Sequence, residues 1–356
     1  MFKETYKEAL DAYETFWERT NKKRPIVNLC YGTSDYQMYR QPESLDEKYL
    51  DMKYRHEAFK RRRDGLGYMA EGVPTCPSNF GPGCVAACIG SDFKLMPDTI
   101  WFGSEKVIED PENIPDLEFD EQSKMWQLVK KSHEEFSSDE ETHFTIADLG
   151  GILDIVAALR GTEELLYDLY DYPDEVKEIS AKVKKAWFRA FDLSVDAMIK
   201  YNQPFDSWMN IPSEKPWYPI QCDFCYMISP DQFEEFVLPD VTDQVNHMPR
   251  SIYHLDGAGE IPHLDMLLDI PNLTGIQWTP GAGKEPLYDE KWFPLYKKIQ
   301  DKKKNLVLIG GVEERHMAEA ERLVKSLDPT GLYFNVYASS KEKAEEMLEK
   351  ITRWSE

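Results

Sequence analysis

The chain has 356 residues, 42% of them hydrophobic, enough for one large barrel or two medium domains with a substantial core. Asp and Glu number 65 against 42 Lys and Arg, and the formal net charge of -23 argues against nucleic acid or an anionic membrane surface as partner. No apolar run reaches the roughly 18 residues of a membrane span, and the acidic N-terminus lacks the apolar stretch of a secretory signal, so a cytoplasmic protein is expected.

Residues 2–20 carry Phe2, Tyr6, Leu10, Tyr13, Phe16 and Trp17 at helical spacing, with charge on the opposite face. A strand over 25–32 follows and runs into a polar loop with Asp35, Tyr39, Arg40 and Gln41. Residues 45–63 read as a charged helix whose Arg61-Arg62-Arg63 end suits the helix dipole and reads as solvated. The Gly- and Pro-rich stretch 71–90 turns into a small-residue helix. Its Gly81-Pro-Gly83 turn lacks the Lys-Ser/Thr of a phosphate loop. Cys84 and Cys88 are four apart, a spacing open to a metal pair, but small buried hydrophobes are the better reading. After a strand over 99–103, residues 104–142 form an acidic insertion with one helix near 121–132. A strand over 143–149 ends with Asp148, followed by helices over 151–159, 162–170 and, opened by Pro173, to about 200. Residues 205–212 and 218–224 are further candidate strands, and Ser229 caps a helix. The alternation then becomes regular: strands 251–257, 273–279, 305–311 and 332–338 interleave with helices 260–268, 289–302, 315–327 and 340–353. Successive β-α units imply parallel strands with right-handed crossovers. No Gly-x-Gly-x-x-Gly opens a helix after a strand. The expected α/β architecture is therefore a single (β/α)8 TIM-like barrel over 25–356, with an N-terminal helical extension over 1–24.

Such a barrel carries its chemistry at the carboxyl ends of its strands. Strand 251–257 ends there with His254 and Asp256, two apart and so on one face. The pair can ligate a metal with a third group from Asp148, Asp223, Glu313, Glu71 or a cysteine. It can serve as acid and base, the carboxylate orienting the imidazole. Or it is a buried histidine satisfied by its neighbour. Cys222-Asp-Phe-Cys225 has no second such pair, which leaves a zinc ribbon without support. Asp223 is the better candidate for the barrel mouth, with Asn210, Gln221 and Gln277 as hydrogen-bonding groups. Trp208, Tyr253, Trp278 and Tyr337 can line an apolar pocket, although aromatics on strands are more often packing.

The stretches 148–161 (Asp-Leu-Gly-Gly-Ile-Leu-Asp-Ile-Val-Ala-Ala-Leu-Arg-Gly) and 228–240, with the Tyr-His-Leu-Asp-Gly strand end, resemble the uroporphyrinogen decarboxylase superfamily. The resemblance implies a TIM-like barrel with one of two chemistries: decarboxylation of a tetrapyrrole, or zinc-dependent methyl transfer between a corrinoid protein and a thiol or methyl donor. The decarboxylase branch clamps its substrate with an arginine-rich N-terminal segment, of which the matching loop 35–42 keeps Arg40 alone. The methyltransferase branch holds zinc through His-x-Cys and a distant cysteine. Here those positions are His254, Asp256 and the neighbourhood of Tyr337, which has no cysteine. A harder site of His254, Asp256 and Glu313, holding zinc or another divalent metal, suits demethylation of an ether or amine donor. The expectation is a methyltransferase that passes a methyl group from a small-molecule methyl donor to a corrinoid-binding protein. His254, Asp256 and Asp223 would be catalytic; Arg40, Asn210, Gln277, Trp278, Tyr337 and Asp148 would contact substrate. The rivals are a decarboxylase of a tetrapyrrole or another small carboxylic acid, and a non-catalytic barrel that binds a corrinoid or small ligand.

Overall fold

The computed structural model describes residues 2–33, 38–281 and 283–355. Its strands, in chain order, are β1 (Ile26–Gly32), β2 (Leu66–Ala70), β3 (Thr75–Cys76), β4 (Phe93–Leu95), β5 (Ile100–Phe102), β6 (His143–Phe144), β7 (Trp217–Ile220), β8 (Arg250–Asp256), β9 (Gly275–Thr279), β10 (Asn305–Val312) and β11 (Leu332–Ala338). The helices are α1 (Phe2–Trp17), α2 (Leu45–Leu50), α3 (Met52–Asp64), α4 (Lys124–Phe136), α5 (Ile152–Arg160), α6 (Thr162–Asp171), α7 (Pro173–Lys200), α8 (Pro230–Phe236), α9 (Leu238–His247), α10 (Leu264–Leu268), α11 (Phe293–Asp301), α12 (Met317–Ser326) and α13 (Lys341–Trp354). Among the described residues no helix is long and apolar enough to cross a membrane.

A central seven-stranded sheet, in the order β2-β1-β11-β10-β9-β8-β7, makes this a mixed α/β protein. Every neighbouring pair is parallel except β1 and β2. Strands such as β7 are buried on both faces, which is why they read as continuous apolar runs. The helices returning between them are amphipathic. Leu295 and Ile299 of α11, Leu323 and Val324 of α12, and Met347 and Ile351 of α13 turn inward against the sheet.

Several elements differ from the sequence expectation, each for a local reason. Leu66–Ala70, for which the sequence gives no strand, pairs antiparallel with β1. The helix expected over 45–63 breaks at Asp51, whose carboxylate caps α3 by accepting from the Tyr54 N–H at 3.0 Å. The small-residue helix is one 3-10 turn, Cys84–Cys88. Strand 143–149 shortens to the two residues of β6 paired with β3, and 205–212 keeps one bridge, Phe205 to Ser213. In that last segment the Asp206 carboxylate accepts from the Ser207 and Ile211 N–H groups, both at 2.7 Å, so a side chain takes bonds that a ladder needs. Single backbone bonds still run across the region: Thr145 N–H to Cys76 O at 3.2 Å and Ile146 N–H to Asp206 O at 2.9 Å.

The amino ends of the strands are covered by α1. Tyr13 and Phe16 are fully buried and pack on Tyr333, with ring centroids 6.2 and 6.1 Å apart. Trp17 lies 4.9 Å from Trp217 and donates to the Pro212 carbonyl at 3.0 Å. Arg250, at the start of β8, is 4% exposed and holds Glu14 and Glu18 of the same end of the molecule at 2.7 Å each. The N-terminal helix thus forms the floor, and the carboxyl ends are left as the open face.

Candidate active site

At that open face β8 and β9 set the geometry. Their register puts His254 opposite Gln277 and Asp256 opposite Thr279. Alternation sends His254 and Asp256 to one face of β8 and Tyr253 and Leu255 to the other. The Gln277 amide is oriented by its own donors: Nε2 gives hydrogen bonds to the Trp278 carbonyl at 2.8 Å and the Thr279 hydroxyl at 2.9 Å. Its Oε1 is therefore the atom that meets His254 Nδ1. An amide oxygen can only accept, so the imidazole proton belongs on Nδ1 and Nε2 keeps its lone pair. That lone pair faces Asp256, with Nε2 4.0 Å from Oδ2. Trp208 packs edge-on against the other side of the ring, centroids 5.1 Å apart.

Asp223 joins this pair from the 3-10 turn Asp223–Met227 that follows β7. Ligand atoms of Asp223, His254 and Asp256 lie within 4.8 Å of one another. The turn is pinned by Asp154 in the first turn of α5, whose carboxylate accepts from the Asp223 N–H at 3.0 Å and the Phe224 N–H at 2.7 Å. Asp148 stands nearby and accepts from the Gly150 N–H at 3.0 Å and the Tyr218 hydroxyl at 3.3 Å.

Crowded carboxylates in a poorly solvated place hold protons more tightly. Burial pushes Asp148 up to about 6, and Asp223 adds to the shift while His254 opposes it. Burial also raises Asp154, with Asp223 again adding repulsion. Asp223 is exposed at the open face, yet the protein crowding it from behind raises its pKa; His254 opposes and Asp256 reinforces that shift. Behind β8, Tyr253 faces Cys225, its hydroxyl 3.6 Å from the sulfur, and Glu260 is fully buried. Burial lifts Glu260 to about 11, the Cys225 thiol adding to it, so this carboxyl is neutral. Burial likewise pushes the Cys222, Cys84 and Cys88 thiols up, which makes them packing groups rather than nucleophiles.

A cavity of about 610 Å³ opens beside the cluster. Trp208 is shared between the two, and Asn28, Asn210 and Asn335 line the cavity at the same end. Asn210 holds a left-handed backbone, φ +55°, a conformation asparagine tolerates better than most residues. A second, more apolar hollow of about 310 Å³ lies on the Asp223 side, walled in part by Trp101, Phe102 and Met227.

Of the residues singled out from the sequence, the structure brings together His254, Asp256, Asp223, Asp148 and Gln277, with Asn210 in the adjoining cavity. Four others stand elsewhere. Glu313 turns away to pair with Arg315 at 2.8 Å, and Asp223 occupies the third place among the possible ligands. Trp278 neighbours Gln277 and so faces the opposite way, fully buried 5.0 Å from Trp292. Arg40 is bound to Glu47 at the surface and lies over the Tyr54 ring. Tyr337, 45% exposed, stands at the rim beside Gly32 rather than in the cavity wall. Asp35 lies outside the described residues. Sequence reasoning missed Asp154, Asn28, Asn335, Arg55 and Arg62. For the arginines a signal exists: Arg55, Phe59 and Arg62 are spaced four and three apart, one face of α3, and all three line the cavity.

A mostly parallel central sheet with this cluster at its carboxyl ends defines a mixed α/β protein. No family model and no curated protein sequence matches the chain. Among solved structures its fold is shared with a methyltransferase from Methanosarcina mazei, TM-score 0.60 over 98% of this chain and 99% of that one, at 12% identity.

Proposed function

We propose that the sheet closes into a (β/α)8 barrel through the short contacts of residues 71–76, 143–149 and 205–213. Within it we assign a cytoplasmic methyltransferase that moves a methyl group from a small-molecule donor to a corrinoid-binding protein. The observation that carries this reading is the convergence of Asp223, His254 and Asp256 at the strand ends of a fold shared with a methyltransferase. One imidazole lone pair faced by two carboxylates fits a divalent cation that accepts both nitrogen and oxygen, zinc or a similar ion. Asp223, His254 and Asp256 would hold it, and such an ion supplies Lewis acidity to the oxygen or nitrogen that the methyl group leaves.

The chain's own groups have separable tasks. Gln277 fixes the tautomer of His254, and Asp154 fixes the turn bearing Asp223. Asp148, raised to about 6, can hand a proton to a departing oxygen or nitrogen. Asn28, Asn210 and Asn335 present amide donors and acceptors to the body of the substrate.

The test is methyl transfer from a panel of methyl ethers and methylamines to cob(I)alamin, followed by the absorbance of methylcobalamin, with His254→Ala and Asp223→Asn as controls. Turnover that both variants abolish supports the reading; no turnover with any donor refutes it. A decarboxylase of a small carboxylic acid is the second reading, favoured by the cations lining the cavity. Release of CO2 in place of methylcobalamin would establish that reading instead.

A further inference from the structure

The lining of the cavity beside Trp208 is opposite in sign to the net charge of the chain. Lys48, Arg55, Arg62 and Arg63 line it, and no Asp or Glu among the described residues does. This occurs in a chain with 65 acidic and 42 basic side chains, where acidic walls are the default. Among the described residues, Arg63 alone of the four is answered by carboxylates, those of Asp64, Asp139 and Glu141. Arg55 donates to the carbonyls of Pro77 and Asn79 at 3.2 and 2.7 Å and lies 4.6 Å from the Phe80 ring centroid, with no acid beside it. Lys48 gives its hydrogen bond to the Pro97 carbonyl. Arg62 pairs with no carboxylate among the described residues and reaches the cavity from an exposed position on α3.

A second, independent observation comes from two uncharged residues that line the same cavity. The Trp208 indole N–H and the Asn335 side-chain oxygen are buried and have no hydrogen-bond partner among the described residues. Buried polar atoms left without partners are costly, and two of them, one donor and one acceptor, belong to residues lining this cavity.

We infer that this cavity binds a small organic anion, a carboxylate or phosphate ester, with its charged end at Arg62 and Lys48 and its reacting end at Trp208 and His254. The volume of about 610 Å³ suits a ligand of one or two rings. Guanidinium groups favour carboxylate and phosphate through paired N–H donors. A local cationic wall also offsets the repulsion that the acidic surface imposes on such a ligand. The inference names the substrate class of the site proposed above and rests on that reading for which end reacts.

The experiment is calorimetric binding of 4-methoxybenzoate and of phenyl phosphate, with uncharged methoxybenzene as the matched probe, in low and moderate salt. The anions are expected to bind at least tenfold more tightly than methoxybenzene, and the preference to shrink as salt rises. Whichever anion binds better identifies the head group. The Arg62→Gln/Lys48→Met variant, whose changes fall on partly or fully exposed side chains, should lose tenfold or more of the anion affinity. Equal binding of methoxybenzene, no binding of either anion, or full affinity in the double variant overturns the inference. Anion binding that survives in a protein without methyl transfer activity would reject the methyltransferase reading and leave the anion site standing.

Discussion

Gln277→Met tests the logic of the site at its narrowest point. The substitution keeps the volume and removes the oxygen that accepts from His254 Nδ1. The imidazole proton is then free to sit on Nε2, where it would donate to the Asp256 carboxylate 4.0 Å away after a small rotation. A cation must break that new bond before it can use the nitrogen, and a hydrogen bond to a charged acceptor is worth about 1.5–3 kcal/mol. The corresponding loss of divalent-ion affinity is about 10- to 100-fold, the usual range for a group that orients a ligating histidine. The assay is titration of the metal-free protein with Zn2+ and Mn2+ by calorimetry, with thermal unfolding of the apoprotein as a check on the fold. Gln277→Glu, which restores an acceptor, should recover most of the affinity. If Gln277→Met binds the ion as the parent does, the assignment of the proton to Nδ1 is wrong.

Other expectations follow from the same geometry. Asp154→Ala removes the acceptor of two backbone N–H groups and should cost about 2 kcal/mol in urea unfolding while weakening divalent-ion binding; an unchanged affinity would show that Asp223 needs no anchor. Arg250→Met leaves Glu14 without its partner at the floor and should cost about 3 kcal/mol, measured the same way; a loss under about 1 kcal/mol would mean the ion pairs hold α1 only weakly. His133 is fully enclosed against Phe144, and burial lowers its pKa from 6.5 to about 4. Between those values the unfolded chain binds a proton that the folded chain refuses, so stability present above pH 6.5 falls by about 3 kcal/mol as the pH drops to 4. His133→Leu should remove that part of the acid loss, and parallel curves for variant and parent from pH 7 to 4 would refute the assignment.

The repeating half of the chain was legible because its strands and helices each follow one period. The pairing of His254 with Asp256 needed only the two-residue alternation of β8. The same rule, applied to β9, shows why Gln277 and Trp278 cannot both face the open end, and the structure puts only Gln277 there. Glu313 was misleading for a different reason. It sits just past the end of β10, but the chain turns there into a cap in which the Glu313 N–H meets His316 Nδ1 at 3.3 Å. Strands 143–149 and 205–212 look regular in sequence, and what shortens the second is a tertiary choice, the Asp206 carboxylate taking the local N–H groups. Arg62 reads as solvated, and Arg55 is not singled out, because a charged helix gives no sign of which charges turn toward a cavity. Asp154 was hidden in an ordinary first helical turn, since its partners lie 69 and 70 residues further on.

The way α1 is seated bears on the order in which the molecule assembles. It precedes in the chain every strand that it covers, yet Arg19 just beyond its end bonds to Lys304 and Asn305, 285 and 286 residues downstream, and Trp17 packs at a tilt against Trp217. During synthesis its Tyr13 and Phe16 must wait for a seat that does not yet exist, leaving an apolar ridge uncovered while most of the chain is still emerging. Contacts of such long range form late, so α1 should dock among the last elements and act as a latch on an otherwise formed sheet. Refolding followed from Trp17 should then lag behind refolding followed from the β8–β11 strands.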